Sequence, residues 1–149
     1  MVLGPDSPVD LALVVPVVVG AHIEAELADR ATAQWLADQL TDELAQHSPG
    51  LRAVVCTDLW YLNDDRLRSR PAVAVGEPEL NAYTAFLADK LPDVYSVKDV
   101  LIVQLDLTGV DLVAACWGRD SLATRLAAQA FAERYLPGFC EAAAELMSA

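Results

Sequence analysis

Positive charge is scarce in this chain: 10 lysines and arginines stand against 22 aspartates and glutamates, a formal net charge of -12. Nucleic acids and anionic membranes are themselves negatively charged, so this balance argues against either as a non-specific partner. Cysteine is scarce as well, since Cys56, Cys116 and Cys140 are too few and too widely spaced for a disulfide framework or a zinc site. Their apolar neighbours predict reduced, buried thiols, and we therefore expect a cytoplasmic protein.

Long apolar runs are missing too. The longest, residues 11–21, is too short to span a bilayer and contains Pro16. Residues 1–10 carry only acidic charge, so the sequence predicts no signal peptide and no membrane partner. The chain also has no Gly-x-Ser-x-Gly elbow, no Walker loop and no His-Glu-x-x-His motif. No motif therefore names a reaction, and we predict no cofactor.

The most informative segment that is present covers residues 71–90. A β-branched run ends on Gly76, a turn with Pro78 follows, and apolar residues then recur at helical spacing. Such strand–turn–helix units build open α/β sheets. The chain has 149 residues, of which 54% are hydrophobic, and this size predicts one domain over residues 1–149. Residues 1–8 are predicted to form a flexible N-terminal arm.

Hydrophobic periodicity predicts the elements of the N-terminal half. Strands are expected at residues 17–19, 51–57 and 72–75, with residues 11–15 as an uncertain lead-in to the first. A helix over residues 23–46 is predicted to bury one face, which holds Leu27, Ala31, Leu36, Leu40 and Leu44. A polar connection over residues 58–70 has one helical turn around residues 64–67. The next helix has Pro78 near its first turn and ends before Pro92.

The C-terminal half predicts a hairpin followed by helices. Residues 100–107 and 110–117 are strong strand runs separated by only Thr108 and Gly109, too short a gap for a helical crossover, so they pair antiparallel. A helix then starts at Asp120 or Ser121, and Pro137 breaks it before a last helix over residues 139–147. The predicted fold class is α/β: a three-layer Rossmann-like domain with a mixed, mostly parallel sheet and an antiparallel hairpin in its C-terminal half.

Two segments resemble a known family when they are taken together. Residues 75–81 (Val-Gly-Glu-Pro-Glu-Leu-Asn) resemble the Gly-Gly-Pro-x-x-Asn turn of archaeal surface-layer protein domains. Gly118 and residues 124–128 (Thr-Arg-Leu-Ala-Ala) resemble the Asp-Thr-Arg-x-Ala-Ala helix start of the same domains. The likeness spans residues 71–132 and departs from the family at Glu77, where it has Gly, and at Ala123, where it favours an acid. The wider set of motifs, which adds residues 60–64 and 116–120, is more similar to small bacterial α/β proteins of unknown function.

Candidate site residues follow from the expected topology. If the first three strands and the last are parallel, four loops meet at one edge of the sheet, where ligands of open α/β sheets usually bind. The ligand-binding candidates in these loops are Trp60, Asn63, Asp64, Gly76, Asn81, Trp117, Arg119 and Asp120. The competing interpretation is structural: Asn81, Asp120 and Thr124 cap helices, Gly76 makes a tight turn, and the aromatic residues belong to the core.

The chemistry of these loops disfavours a phosphate. Gly76 stands without further glycines, and Glu77, Glu79 and Asp120 place negative charge at helix starts where a phosphate needs bare N–H groups. Clustered acids could instead bind a divalent cation, but acidic residues are so frequent here that we predict no metal site.

Three functions from different classes remain open. We favour a domain that binds a small ligand or a protein partner at the loops following the parallel strands. The second is a small enzyme that uses Asp58, Asp64 or Asp120 for acid–base or metal-assisted hydrolysis. The third is a self-assembling interaction module, and we expect a homo-oligomer, most simply a dimer, because the apolar composition predicts an exposed patch.

Overall fold

In the computed structural model, a single six-stranded sheet organises the described residues, which are 10–68, 70–108 and 112–148. The predicted N-terminal arm over residues 1–8 lies outside these ranges, as does Gly109 of the predicted hairpin turn. The strands are β1 (Val14–Val19), β2 (Arg52–Thr57), β3 (Ala72–Val75), β4 (Asp93–Val97), β5 (Leu101–Leu105) and β6 (Val113–Gly118). The helices are α1 (Ile23–Ala28), α2 (Arg30–His47), α3 (Asp58–Asn63), α4 (Asp65–Arg68), α5 (Ala82–Leu87) and α6 (Ser121–Ser148).

The strand order is β2-β1-β3-β6-β5-β4, and it confirms the predicted fold class. Strands β2, β1, β3 and β6 run parallel, whereas β5 pairs antiparallel with both β6 and β4. The predicted antiparallel pairing of the two C-terminal runs is therefore confirmed. The carboxyl ends of four strands lie at one edge of the sheet, and the turn between β4 and β5 lies at the same edge because Leu101 pairs with Gly118.

Both faces of the central strands are buried. In β1, Val15, Val17 and Val19 join the core under α2 and α6, while Val14 and Val18 join a second core that includes Tyr61 of α3 and Tyr83 and Leu87 of α5. A parallel strand covered on both faces needs apolar residues at every position, which explains why every residue of β1 other than Pro16 is valine. In the described ranges, no helix combines the length and the apolar composition needed to cross a bilayer.

The first strand is longer than predicted because Pro16 does not end it. Pro16 lies inside β1 opposite Val54 of β2, and the pairs with β3 begin only at Val17. The predicted helix over residues 23–46 is interrupted at Asp29, which separates α1 from α2. Leu27 is 83% exposed and Ala31 is exposed as well, so the predicted buried face was wrong there, whereas Leu36, Leu40 and Leu44 are buried.

Two further boundaries differ from the prediction. Helix α5 starts at Ala82, not near Pro78, because Asn81 caps it and residues 78–80 form a turn. Helix α6 runs through Pro137 without a break. Proline inside a helix removes one hydrogen bond and is unfavourable by about 3 kcal/mol. Phe131 and Phe139 lie on either side of Pro137, and both side chains are fully buried. Their rings pack edge to face with centroids 5.6 Å apart, which holds the two halves of α6 on one core.

The polar connection is more regular than predicted, and the C-terminal half contains one more strand. Two short helices, α3 and α4, occupy residues where a single turn was expected. Strand β4 was not predicted. It is an edge strand with exposed residues on both faces, so it lacks the alternation of apolar and polar residues that marks a half-buried strand.

Candidate functional site

Asn81 joins the ends of β1 and β3. Its side-chain amide donates to the carbonyl oxygens of Val18 at 2.9 Å and Val75 at 3.0 Å. Its Oδ1 accepts from the backbone N–H groups of Tyr83 and Thr84 at 2.9 and 3.2 Å, which caps α5. The residue is 1% exposed, so all four bonds are buried and the side chain has no capacity left for a ligand.

Asp58 makes a second junction at the same edge. Its Oδ1 accepts from the N–H groups of Ala21, which follows β1, and of Leu59, while its Oδ2 accepts from the N–H of Ala82, the first residue of α5. The carboxylate is buried, and its three backbone bonds tie together the loops that follow β1, β2 and β3. Three charge-assisted bonds to backbone N–H groups make this carboxylate a structural clamp.

The two central loops also touch through their backbones. In sheets of this strand order, the loops after β1 and β3 diverge and leave a crevice in which ligands bind. Here a Cβ added at Gly20 would collide with the carbonyl oxygen of Leu80. Only glycine allows this approach. The crevice between β1 and β3 is therefore closed by Gly20 and Leu80, and Asp58 and Asn81 lie beside the contact.

The predicted candidates on α3 form a local group. Asp64 accepts from the Trp60 indole N–H at 3.3 Å and from Nε and Nη2 of Arg66 at 3.1 and 2.9 Å. These hydrogen bonds, that of the Arg66 side chain above all, lower the pKa of Asp64 to about 2. Asn63 is exposed and donates to the Leu59 carbonyl at 2.7 Å. Within the described residues, no hydrogen bond links Trp60, Asn63 or Asp64 to Asn81, although all four are ligand-binding candidates.

The candidates after β6 form a separate group. The Trp117 indole N–H donates to the Gln104 side chain at 3.1 Å, and Asp120 caps α6 by accepting from the N–H of Ala123 at 2.8 Å. Arg119 is exposed, and its Nε lies 3.9 Å from Asp120. Trp117 and Arg119 line a cavity of about 320 Å³ beside the turn between β4 and β5. The eight predicted residues therefore lie along one sheet edge but in three places.

Asp29 is a buried carboxyl group that sequence reasoning missed. It lies between α1 and α2, is 3% exposed, and caps neither helix with its side chain. No hydrogen bond to its carboxyl oxygens is found within the described residues. Gly76, with φ +118°, makes room for it: a Cβ there would lie 2.8 Å from Oδ2 of Asp29. Burial, together with the nearby charge of Glu77, raises the pKa of Asp29 to about 6.

Acidic residues surround this carboxyl group. Burial raises the pKa of Glu77, and the charges of Glu79, Asp120 and Glu24 raise it further. We call Glu24, Glu77, Glu79 and Asp120 the acidic rim. Within the described residues, no three carboxylate, imidazole or thiol groups are placed to hold a metal ion. The rim is therefore a region of negative potential and not a coordination site.

A groove lies next to Asp120 of the acidic rim. It has a volume of about 400 Å³ and lies between α1–α2 on one side and the first turns of α6 on the other. Its lining includes Ala28, Ala31, Thr32, Trp35, Leu122 and Arg125. Ala28 is the neighbour of Asp29, and Ser121, which also lines it, is the neighbour of Asp120. We call this cavity the α2–α6 groove; its acidic end is the one at Asp29.

Exposed apolar side chains collect around the groove. Of the large apolar residues that are exposed in the described ranges, six lie on the three helices that form it. Leu146 is near the far end of α6, and the other five are Ile23, Leu27, Trp35, Leu122 and Leu126. Ile23 and Leu27 lie one turn apart on α1, and Leu122 and Leu126 lie one turn apart on α6, so each pair shares a helix face. Trp35 and Leu122 line the groove itself, and exposed apolar surface beside a cavity is typical of a protein–protein interaction site.

Comparison of the chain with protein-family models, with curated proteins and with solved structures gave no match. The resemblances inferred from the sequence therefore remain expectations, and the site has to be interpreted from its own geometry.

Proposed function

We propose that this protein is a binding module that takes a protein partner in the α2–α6 groove, at the sheet edge where the loops after the parallel strands lie. The observation that supports it most is the contrast between two places at that edge. The crevice between β1 and β3 is closed by Gly20 and Leu80, whereas the groove beside it is open and flanked by exposed Trp35 and Leu122.

The groove suits a helix better than a flat surface. Amphipathic helices bind by placing apolar side chains at i, i+3 and i+4 into a groove of this kind. Two adjacent helices, α2 and α6, form its walls, and Leu122 and Leu126 provide a further apolar strip beside it. We also retain the prediction of a cytoplasmic protein, which the three free and buried cysteines support.

A library of helical peptides selected for binding tests this proposal. Selected peptides should lose affinity about tenfold or more for the variant Leu122→Glu, because a charge at the apolar wall must be desolvated on binding. The matched control is Leu146→Glu, since Leu146 lies near the other end of α6 and is 51% exposed, against 55% for Leu122. Binders that tolerate Leu122→Glu, or the failure to select any, would refute the proposal.

A second candidate function is small-ligand binding in the cavity beside Trp117. Its volume of about 320 Å³ is within the range of small-molecule sites, and Trp117, Ile102 and Arg119 line it. A fragment screen monitored by the NMR signal of the Trp117 indole N–H distinguishes ligand binding in this cavity from binding in the α2–α6 groove. Fragment-induced shifts at Trp117, absent at Trp35, would favour this cavity over the groove.

A further inference from the structure

The starting point is that Asp29 is buried without a hydrogen-bond partner. Buried polar groups almost always have a partner, and a carboxyl group without one is unfavourable by several kcal/mol once it is charged. Asp29 is 97% buried, and no atom of the described residues donates a hydrogen bond to its carboxyl oxygens. It lies beside Gly76 and Glu77 and directly follows Ala28, which lines the α2–α6 groove, so its backbone adjoins the end of that groove.

The arginines around the groove do not pair with the acids at its end. Arg30 follows Asp29 directly, but its Nε lies 2.7 Å from Glu26. Arg119 lies 3.9 Å from Asp120 with its side chain 65% exposed, and Arg125 lines the groove itself. No ion pair within the described ranges involves Asp29 or Glu77. The unpaired negative charge therefore lies at Asp29 and Glu77 and does not extend along the whole groove.

Three observations together define what fits there. The described acids are not arranged for a metal ion, so an organic cation is the better match. The surface next to the acids is apolar, so the cation has to be carried on an apolar body. A second copy of this chain would bring another acidic rim to the same place, and the net charge of -12 opposes that contact.

We infer that the acidic end of the α2–α6 groove binds a lysine or arginine side chain carried on an amphipathic helix of a different protein, with Asp29 and Glu77 recognising its charge. The inference rests on the proposed function, because the apolar face of that helix occupies the groove. The helix places its apolar side chains against Trp35 and Leu122, and its cation then lies against the acidic rim. The predicted homodimer, if it forms, uses another face.

Two synthetic amphipathic helices test the inference. Both carry the same leucine stripe; one has lysines at its ends and the other has glutamines at the same positions. Wild type should bind the lysine peptide about tenfold more tightly, and Asp29→Asn or Glu77→Gln should remove most of that preference while leaving the affinity for the glutamine peptide unchanged. The control for general attraction by an acidic protein is Asp42→Asn, an exposed residue two turns beyond the groove on α2.

The outcomes separate the inference from the proposed function. If both peptides bind equally well and Leu122→Glu abolishes both, the groove is confirmed and the charge recognition is refuted. If Asp42→Asn reduces the preference as much as Glu77→Gln does, the attraction is non-specific and the inference fails. If neither peptide binds, or if binding survives Leu122→Glu, the proposed function fails with it. Self-association that Leu122→Glu abolishes would identify the occupant as a second copy and overturn the inference.

Discussion

Asp58 and Asn81 lie at the carboxyl edge of the sheet on the side of α3 and α5, and Asp29 lies at the same edge on the side of α2. All three are buried. The first two accept or donate seven hydrogen bonds between them, which join three loops and cap a helix. The carboxyl group of Asp29 accepts none within the described residues. The comparison teaches that a polar side chain buried at this edge is not always part of the framework: those of Asp58 and Asn81 build the fold, whereas that of Asp29 joins no loops, which is why we propose a binding role for it.

The largest effect is expected for Asn81→Ala. The substitution leaves the carbonyl groups of Val18 and Val75 and the N–H groups of Tyr83 and Thr84 without their partner. Unsatisfied buried groups and a lost helix cap together predict a loss of about 4 kcal/mol in the free energy of unfolding. Urea denaturation measures it. Asn63→Ala is the control, since Asn63 is exposed, and should change stability by less than about 0.5 kcal/mol.

The opposite sign is expected for Asp29→Asn at neutral pH. The pKa of Asp29 rises from its ordinary value of 3.8 to about 6 on folding, chiefly because of burial. Between pH 3.8 and about 6, the folded state therefore binds more protons than the unfolded chain. The free energy of unfolding falls as the pH rises through this range. At 1.36 kcal/mol per pKa unit, Asn at this position should raise the free energy of unfolding at pH 7.5 by roughly 3 kcal/mol.

The pH dependence is the decisive part of that measurement. The gain from Asp29→Asn should shrink as the pH falls from about 6 and approach zero below about pH 3, where Asp29 is protonated in both the folded and the unfolded state. A gain that is the same at pH 4 and pH 7.5 would show that ionisation of Asp29 is not its cause. A loss of stability at neutral pH would show that the carboxyl group has a partner after all, and the contrast with Asp58 would disappear.

A smaller loss is expected for Asp58→Asn. The amide retains one oxygen, which can still accept from Ala21 and Leu59, but its NH₂ group then faces the N–H of Ala82. Loss of one charge-assisted bond predicts a decrease of about 2 kcal/mol in the free energy of unfolding. Thermal unfolding checks it. An unchanged melting temperature would mean that the three loops are held by the Gly20–Leu80 contact without help from Asp58.

The smallest effect concerns the cysteines, for which no reaction is expected in the folded state. Burial raises the pKa of Cys56 to about 12 and that of Cys116 further, so neither is a thiolate near neutral pH. Both should resist a maleimide reagent until urea unfolds the chain, as mass spectrometry would show. Labelling of Cys56 under native conditions would show that its thiol is accessible and would contradict its burial.

The fold was predictable because its strongest signals are local. The valine run of β1, the run before Gly76 and the short gap before β6 each predict strands whose direction follows from the length of the connection. Pro16 and Pro137 misled the prediction, since each was expected to end an element and each lies within one. Packing on both faces holds Pro16 inside β1, and the contact of Phe131 with Phe139 holds the helix around Pro137; neither is visible in a local pattern.

The site was predictable in its position along the sheet but not in its residues. The loops that follow parallel strands lie at one edge of the sheet, and the order and direction of the strands are enough to predict this. Asp29 was not predicted as a site residue because it lies within a helical pattern that looks continuous in the sequence. It differs from its helical neighbours only through its contact with Gly76, which is 47 positions later in the chain.

The contact between Gly20 and the Leu80 carbonyl has a consequence for how this protein can change during evolution or design. The contact is made by main chain, so substitutions elsewhere in the two loops cannot open the crevice between β1 and β3. In the function that we propose, specificity then depends on surface side chains, such as Leu122 on α6 and Glu77 in the turn after β3, which can change one at a time without disturbing the sheet. On that proposal the backbone fixes where binding occurs, and these replaceable side chains select what is bound.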